Sequence, residues 1–216
     1  MKAILFDLDG TLANTLPLCI KAYKHAFEHY KGHSVTDEEV TSHFGVTEEG
    51  IFQRMLPDQW EAALKLYYEI YEHLHDECSE PFAGIESALR LLKQRGVAMA
   101  VVTGKGEYTA NLTLKYLGLA DYFDMVEAGD ANAVVKALAM RKILEAWDMV
   151  PQDAAYVGDT DTDMIQATAA GLLPIGACWA ETTTIQHNGA TPPFTTFSSV
   201  QAFTNWLDQH IEAINP

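Results

Sequence analysis

The chain has 216 residues, 48% of them hydrophobic and 20% charged, a composition that supports a buried core and excludes a disordered chain. Its formal net charge of −16 argues against nucleic acid and anionic membranes as partners, and any anionic substrate then needs locally placed positive charge. Three widely spaced cysteines, Cys19, Cys78 and Cys178, without a CxxC pair, fit a reducing compartment; with no signal-like segment and no apolar run near the ~18 residues of a membrane span, the expected location is cytoplasmic.

The first apolar run, Ala3–Phe6, ends at an acid and reads as a buried strand. Residues 15–80 differ from the rest: long helical patterns, broken at Gly32, Gly45 and Pro57, predict a small helical domain inserted after that strand and its loop. The core thus comprises residues 1–14 and 81–216, re-entered near Pro81-Phe82-Ala83-Gly84. Ile85, Leu89 and Leu92 share a helix face before Gly96, and the run Ala98–Val102 is the second strand. Leu112, Tyr116 and Leu117 predict the apolar face of the next helix, and Val135, Leu138, Ile143 and Leu144 that of another. Ala154–Val157 and Leu172–Ala177 are two further strands, and Val200, Phe203, Leu207, Ile211 and Ile214 line a closing helix capped by Ser198-Ser199. Short apolar runs alternating with helices predict an α/β fold, with a parallel sheet whose strands are buried on both faces.

Three of the runs end at polar, Gly-containing loops, and in open parallel sheets ligands bind outside the carboxyl ends of the strands. The first loop is Asp7-Leu8-Asp9-Gly10-Thr11-Leu12. A carboxylate can attack phosphorus, and a second one nearby can protonate the leaving oxygen and then deprotonate water; a surface turn with two solvated acids is the bland alternative. The third loop, Gly158-Asp159-Thr160-Asp161-Thr162-Asp163, offers Asp159 as an oxygen ligand for a hard cation such as magnesium and Asp163 as an orienting acid one turn on. The acids also suit a helix N-terminus on dipole grounds alone. Val102-Thr103-Gly104-Lys105 places a hydroxyl and backbone N–H groups where phosphoryl oxygens are held. A cation is still needed against the transferring phosphoryl charge: Lys136, at the head of its helix, is favoured, with Lys142 as the rival.

Taken in order, DLDGTL, VVTGK, Lys136 and GDTDTD resemble the four signature motifs of the haloacid dehalogenase superfamily, over essentially the whole chain. The resemblance implies a Rossmann-like core with helices on both faces and a small α-helical cap over 15–80. It implies a phosphoric monoester hydrolase with Asp7 as nucleophile and Asp9 as acid/base. It further implies Thr103 and Lys136 in catalysis, with Asp7, Gly10, Thr103, Gly104 and Lys136 around the phosphate. Magnesium would be held by Asp7, the Asp9 carbonyl and Asp159, with Asp163 behind them. One departure is Ala137, where many close relatives follow the lysine with proline. Phe44-Gly45-Val46-Thr47 looks like the substrate-facing cap segment of phosphoglycolate-phosphatase-like members.

The expected partner is a small phosphorylated metabolite, with no nucleic acid and no membrane, and the chain is expected as a monomer or small homo-oligomer. Two other readings are a sugar phosphomutase of the same superfamily and a non-catalytic binding module. Such mutases resemble one another in a Glu-Asp pair at the fourth motif and an arginine in the cap; here Gly158 precedes Asp159 and Thr47 stands where that arginine is expected. A binding module usually lacks one of the acids, and none is lost here.

Overall fold

The computed structural model describes residues 1–186 and 195–211. Its elements run β1 (Ala3–Phe6), α1 (Leu16–Lys31), α2 (Asp37–Thr41), α3 (Glu48–Met55), α4 (Trp60–Leu74), α5 (Ile85–Gln94), β2 (Ala98–Val102), α6 (Glu107–Tyr116) and β3 (Met125–Glu127). They continue with α7 (Lys136–Ala146), β4 (Ala154–Gly158), α8 (Asp161–Ala170), β5 (Leu173–Ala177), β6 (Thr195–Phe197) and α9 (Val200–His210). The strands form one six-stranded sheet in the order β3-β2-β1-β4-β5-β6. Every pair in it is parallel, so the fold is a Rossmann-like α/β fold, and the order reverses at β1, where such sheets open a ligand crevice.

Alternation along the strands explains why they read as continuous apolar runs. Ile4, Phe6, Met99, Val101 and Val157 point to one face, where α5, α6 and α9 supply Leu89, Leu114 and Phe203. Ala3, Leu5, Ala100, Val102 and Tyr156 point to the other, where α7 and α8 supply Met140, Ile143 and Ala167. Both faces of β1, β2 and β4 are covered, so these strands carry no polar stripe.

The predicted helix faces need two corrections. On α6 the side chains turned to the sheet are Ala110 and Leu114, followed by Leu117. Leu112 instead packs against the inserted helices, and Tyr116 is partly exposed and stacks on His75. On α7 the buried residues are Ala139, Met140, Ile143 and Leu144, and Leu138 faces solvent. Ser199 caps α9 through a bond from the Ala202 N–H. The predicted stripe of that helix extends to Ile214, which lies outside the described residues.

Helices α1, α3 and α4 surround an apolar cluster of their own, built on Tyr23, Phe27, Phe52, Tyr67 and Tyr71. Tyr67 stacks on Tyr71 with ring centroids 5.6 Å apart, and rings of this size dominate the burial energy of a small helical unit. The two chain crossings into this unit lie side by side, where Phe82 N–H donates to the Leu12 carbonyl at 2.9 Å. Its seat on the core is polar and close. Thr47 N–H donates to the Asp130 carbonyl at 3.1 Å, and Glu48 accepts from Gly106 N–H at 2.6 Å and from the Thr109 hydroxyl at 2.5 Å. Farther along, the Tyr71 hydroxyl and His75 Nε2 both meet the Thr113 hydroxyl, at 2.8 and 3.0 Å. No helix among the described residues is long and apolar enough to cross a membrane.

Candidate active site

Asp7, Thr103 and Asp159 are each the first residue past the end of a strand: β1, β2 and β4. These three strands are neighbours in the sheet, so residues separated by up to 152 positions meet at one edge. Asp7 is anchored by its own backbone, which continues the pairing to the Val157 carbonyl at 2.8 Å. Its Oδ1 accepts from Leu8 N–H at 2.8 Å, and its Oδ2 meets Lys136 Nζ at 2.8 Å.

Lys136 heads α7 and extends its ammonium under the sheet edge, where it also bonds Asp163 Oδ1 at 2.6 Å. Asp163 is held twice over: Thr160 and Asp163 form a reciprocal capping box at the start of α8, and the Tyr156 hydroxyl donates to Asp163 Oδ1 at 3.3 Å. The local sequence therefore produces the site geometry. The box that begins α8 also aims Asp163 back at Lys136. Lys142, the rival lysine, lies on the outside of α7 and pairs with Glu127 at 2.7 Å.

Asp159 completes the group. One carboxylate oxygen of each of Asp7, Asp159 and Asp163 falls within 4.8 Å of the others, and all three residues are buried. Asp159 Oδ2 is buried with no hydrogen-bond partner, which costs free energy unless something is bound there. A Cβ at Gly10 would lie 2.8 Å from Asp159 Cγ and nearer still to Oδ2, so only glycine leaves that oxygen its space, and the positive φ of Gly10 suits glycine too. Burial first, then the charges of Asp7 and Asp163, push Asp159 up from the ordinary carboxylate range. Asp7 is likewise pushed up, by burial and by Asp163 and Asp9, although Lys136 pulls it down. Lys136 itself rises because Asp163 and Asp7 outweigh its burial. Three buried carboxylates facing one ammonium make a site short of positive charge, and an all-oxygen donor set of this kind fits a hard divalent cation.

The remaining predicted residues stand around this cluster. Asp9 turns its carboxylate away from Asp159: its Oδ1 accepts the Thr15 hydroxyl and meets Lys105 Nζ at 3.3 Å. Thr103 is buried, and its hydroxyl accepts Lys105 N–H at 3.2 Å. Gly104 has nothing within 4 Å of a would-be Cβ, and its carbonyl lies against Gly129. Three site neighbours were not predicted. Thr11 bonds Asp159 Oδ1 at 3.4 Å. Lys105 is buried beside Asp9. Glu48 reaches across from α3. Thr11 and Lys105 stand inside the motifs themselves, whereas Glu48 carries no sequence signal. His25 and His29 are exposed on α1 and join no metal-ligating group among the described residues.

Residues 4–177 match the family model described as haloacid dehalogenase-like hydrolase, and the chain belongs to this family of hydrolytic enzymes. Among named relatives, a phosphoglycolate phosphatase of Neisseria meningitidis is 31% identical over 89% of this chain and 88% of its own. The pyrophosphatase PpaX of a Bacillus cereus strain is 30% identical over 83% of this chain and 84% of its own. A haloacid dehalogenase-like hydrolase of Streptococcus pneumoniae has the same fold, with a TM-score of 0.76 and 24% identity over 96% of this chain and 98% of that one.

Proposed function

We propose that the chain is a magnesium-dependent phosphatase that hydrolyses a small phosphorylated metabolite through an aspartyl-phosphate on Asp7, with residues 15–80 as a cap over the site. The observation that carries this is the buried trio of Asp7, Asp159 and Asp163 against one lysine, with an Asp159 oxygen left unpartnered. Asp7, the Asp9 carbonyl and Asp159 would hold magnesium, with Asp163 behind them. When bound, the ion supplies the positive charge that lets an anionic phosphoryl group approach a carboxylate.

Leu8 N–H and Lys136 orient the Asp7 carboxylate, leaving it a lone pair for attack on phosphorus. As the new Asp7 O–P bond forms, the bond to the leaving oxygen breaks and Asp9 delivers a proton to that oxygen. Asp9 then takes a proton from water as the water attacks phosphorus, and Asp7 is released as a carboxylate with inorganic phosphate. Thr103, Gly104 and Gly10 line the phosphoryl oxygens, and Lys136 offsets their charge. A phosphomutase is disfavoured by Gly158. A Cβ there would lie 2.5 Å from that of Asp163, so the glutamate of a Glu-Asp pair has no room.

The test is phosphate release from a panel of phosphorylated metabolites with magnesium and with EDTA. Release that needs magnesium is expected, and full activity in thoroughly metal-stripped protein refutes the proposal.

A further inference from the structure

Two lysines are buried at the carboxyl edge of the sheet, and they are not equivalent. Lys136 is held by two carboxylates, at 2.8 and 2.6 Å. Lys105 has a single carboxylate within ion-pair distance among the described residues, Asp9 at 3.3 Å, although its side chain is only 6% exposed. Its other neighbours are poor counter-charges: the Cys19 thiol, 3.0 Å from Nζ, and the face of the Tyr71 ring, with Nζ 4.6 Å from the centroid. Its backbone is fixed by Gly129 N–H donating to its carbonyl at 2.8 Å, so the ammonium is a placed charge.

Position gives this charge a task. Lys105 touches the carboxylate of Asp9, the group assigned to the leaving oxygen, and touches neither Asp7 nor Asp159. It therefore lies on the leaving-group side of the site, in the seam between core and insert, with Cys19 and Tyr71 contributed by α1 and α4. Displacement of those two weak partners by an anion is favourable, because charge-assisted contacts in a water-poor site are the strong ones.

We infer that Lys105 is a specificity-determining residue that binds a second anionic group on the leaving group, so that the preferred substrates are phosphate esters or anhydrides whose leaving group carries its own carboxylate or phosphate. This rests on the phosphatase reading above and names its substrate class. The substrates contained in the relatives' names, phosphoglycolate and pyrophosphate, are of that kind.

The test compares kcat/KM for phosphoglycolate, for inorganic pyrophosphate, and for the carboxyl methyl ester of phosphoglycolate, which keeps the phosphate and removes the second charge. The wild-type enzyme should favour at least one of the first two over the ester by about 10-fold or more, and which of the two it favours distinguishes a carboxylate from a phosphate. In Lys105→Met and Lys105→Gln, checked for folding by circular dichroism, that preference should shrink by about 10- to 100-fold. The ratio cancels any loss common to all three substrates through Asp9. A wild-type enzyme that hydrolyses the ester as well as its parents overturns the inference, and so does an unchanged ratio in a folded variant. If none of the three substrates, nor an aryl phosphate, is hydrolysed with magnesium present, the phosphatase reading falls and takes this one with it.

Discussion

Gly50→Ala tests whether the seat of the insert on the core is the working state. Gly50 lies in the first turn of α3, directly over the loop after β3. An added Cβ would sit 2.7 Å from the Ala131 carbonyl carbon and nearer still to its oxygen. Both sides are backbone, so no rotamer relieves the clash, and α3 must withdraw by roughly 1 Å to restore ordinary contact. That withdrawal opposes the bond from Thr47 N–H to Asp130 and strains the two bonds of Glu48 to Gly106 and Thr109. Overpacking costs about 1–3 kcal/mol, and a hydrogen bond to a charged group adds about 1.5–3 kcal/mol when it is lost. Against this, alanine improves helix propensity by up to about 1 kcal/mol. The clash wins by about 2–4 kcal/mol, so kcat/KM should fall by about 30- to 1000-fold if the reaction needs the insert in this seat. The helix itself is not weakened, so the inserted unit should remain folded. Steady-state kinetics with calorimetry on the same protein reads both effects. A variant with wild-type kcat/KM and an unchanged or raised Tm refutes the reasoning.

Asp7→Asn should abolish phosphoenzyme labelling, whereas Asp9→Asn should still label with an aryl phosphate and turn over about 10²–10⁴-fold more slowly; normal labelling of Asp7→Asn in rapid-quench experiments removes the nucleophile assignment. Lys136→Met leaves Asp7 and Asp163 without their cation and should destabilise by about 3–5 kcal/mol in urea titration, while Lys142→Met, on the surface, should cost under about 1 kcal/mol; equal effects would mean that the lysine at the site is misassigned. Folding raises Asp7 to about 7 and Asp159 to about 8, so the metal-free native state binds protons that the unfolded chain has released. Its stability should therefore fall from about pH 4, where the unfolded carboxyls have released their protons, to about pH 8, and level off above that, and magnesium at about 100 times its dissociation constant should restore about 2.7 kcal/mol; a Tm that rises between about pH 5 and 8 and ignores magnesium contradicts the site.

What was legible in the sequence follows from where the information is local. β1, β2, β4 and β5 are covered on both faces, so their apolar runs stand out. β3 and β6 are three-residue strands at the sheet edges, partly exposed, and they present no run to find. The α6 face was misread because that helix is apolar on two sides. Ala110 and Leu114 meet the sheet while Leu112 meets the insert, and spacing alone cannot say which partner each stripe has. At the site, Asp7, Thr103 and Asp159 were legible because each directly follows its strand. The surroundings of Lys105 were not, because its neighbours Cys19 and Tyr71 come from the insert, 86 and 34 positions away. Glu48 was hidden for the same reason: an acid in a first helical turn looks like a dipole partner of its own helix, whereas here it serves the N-terminus of α6.

The charge of the chain and the charge of its site run in the same direction, and this shapes how the enzyme handles an anion. A surface of net charge −16 repels phosphate esters at long range, though salt screens that field beyond about 8–10 Å. Inside the site, three buried carboxyl groups face one lysine, which pairs with Asp7 and Asp163, and once they are ionised a metal-free site would repel the substrate again at short range, where low dielectric strengthens the effect. A divalent cation balances the two uncompensated carboxylates and no more. On the proposed function the phosphoryl charge would then be met by Lys136 and by backbone N–H groups at the strand ends, and Lys136 is already shared between Asp7 and Asp163. Nothing in that set is spare for a second anion on the substrate. On the same reading the charge left for it among the described residues is Lys105, which would stand on the leaving-group side and shares one carboxylate at the longer distance of 3.3 Å.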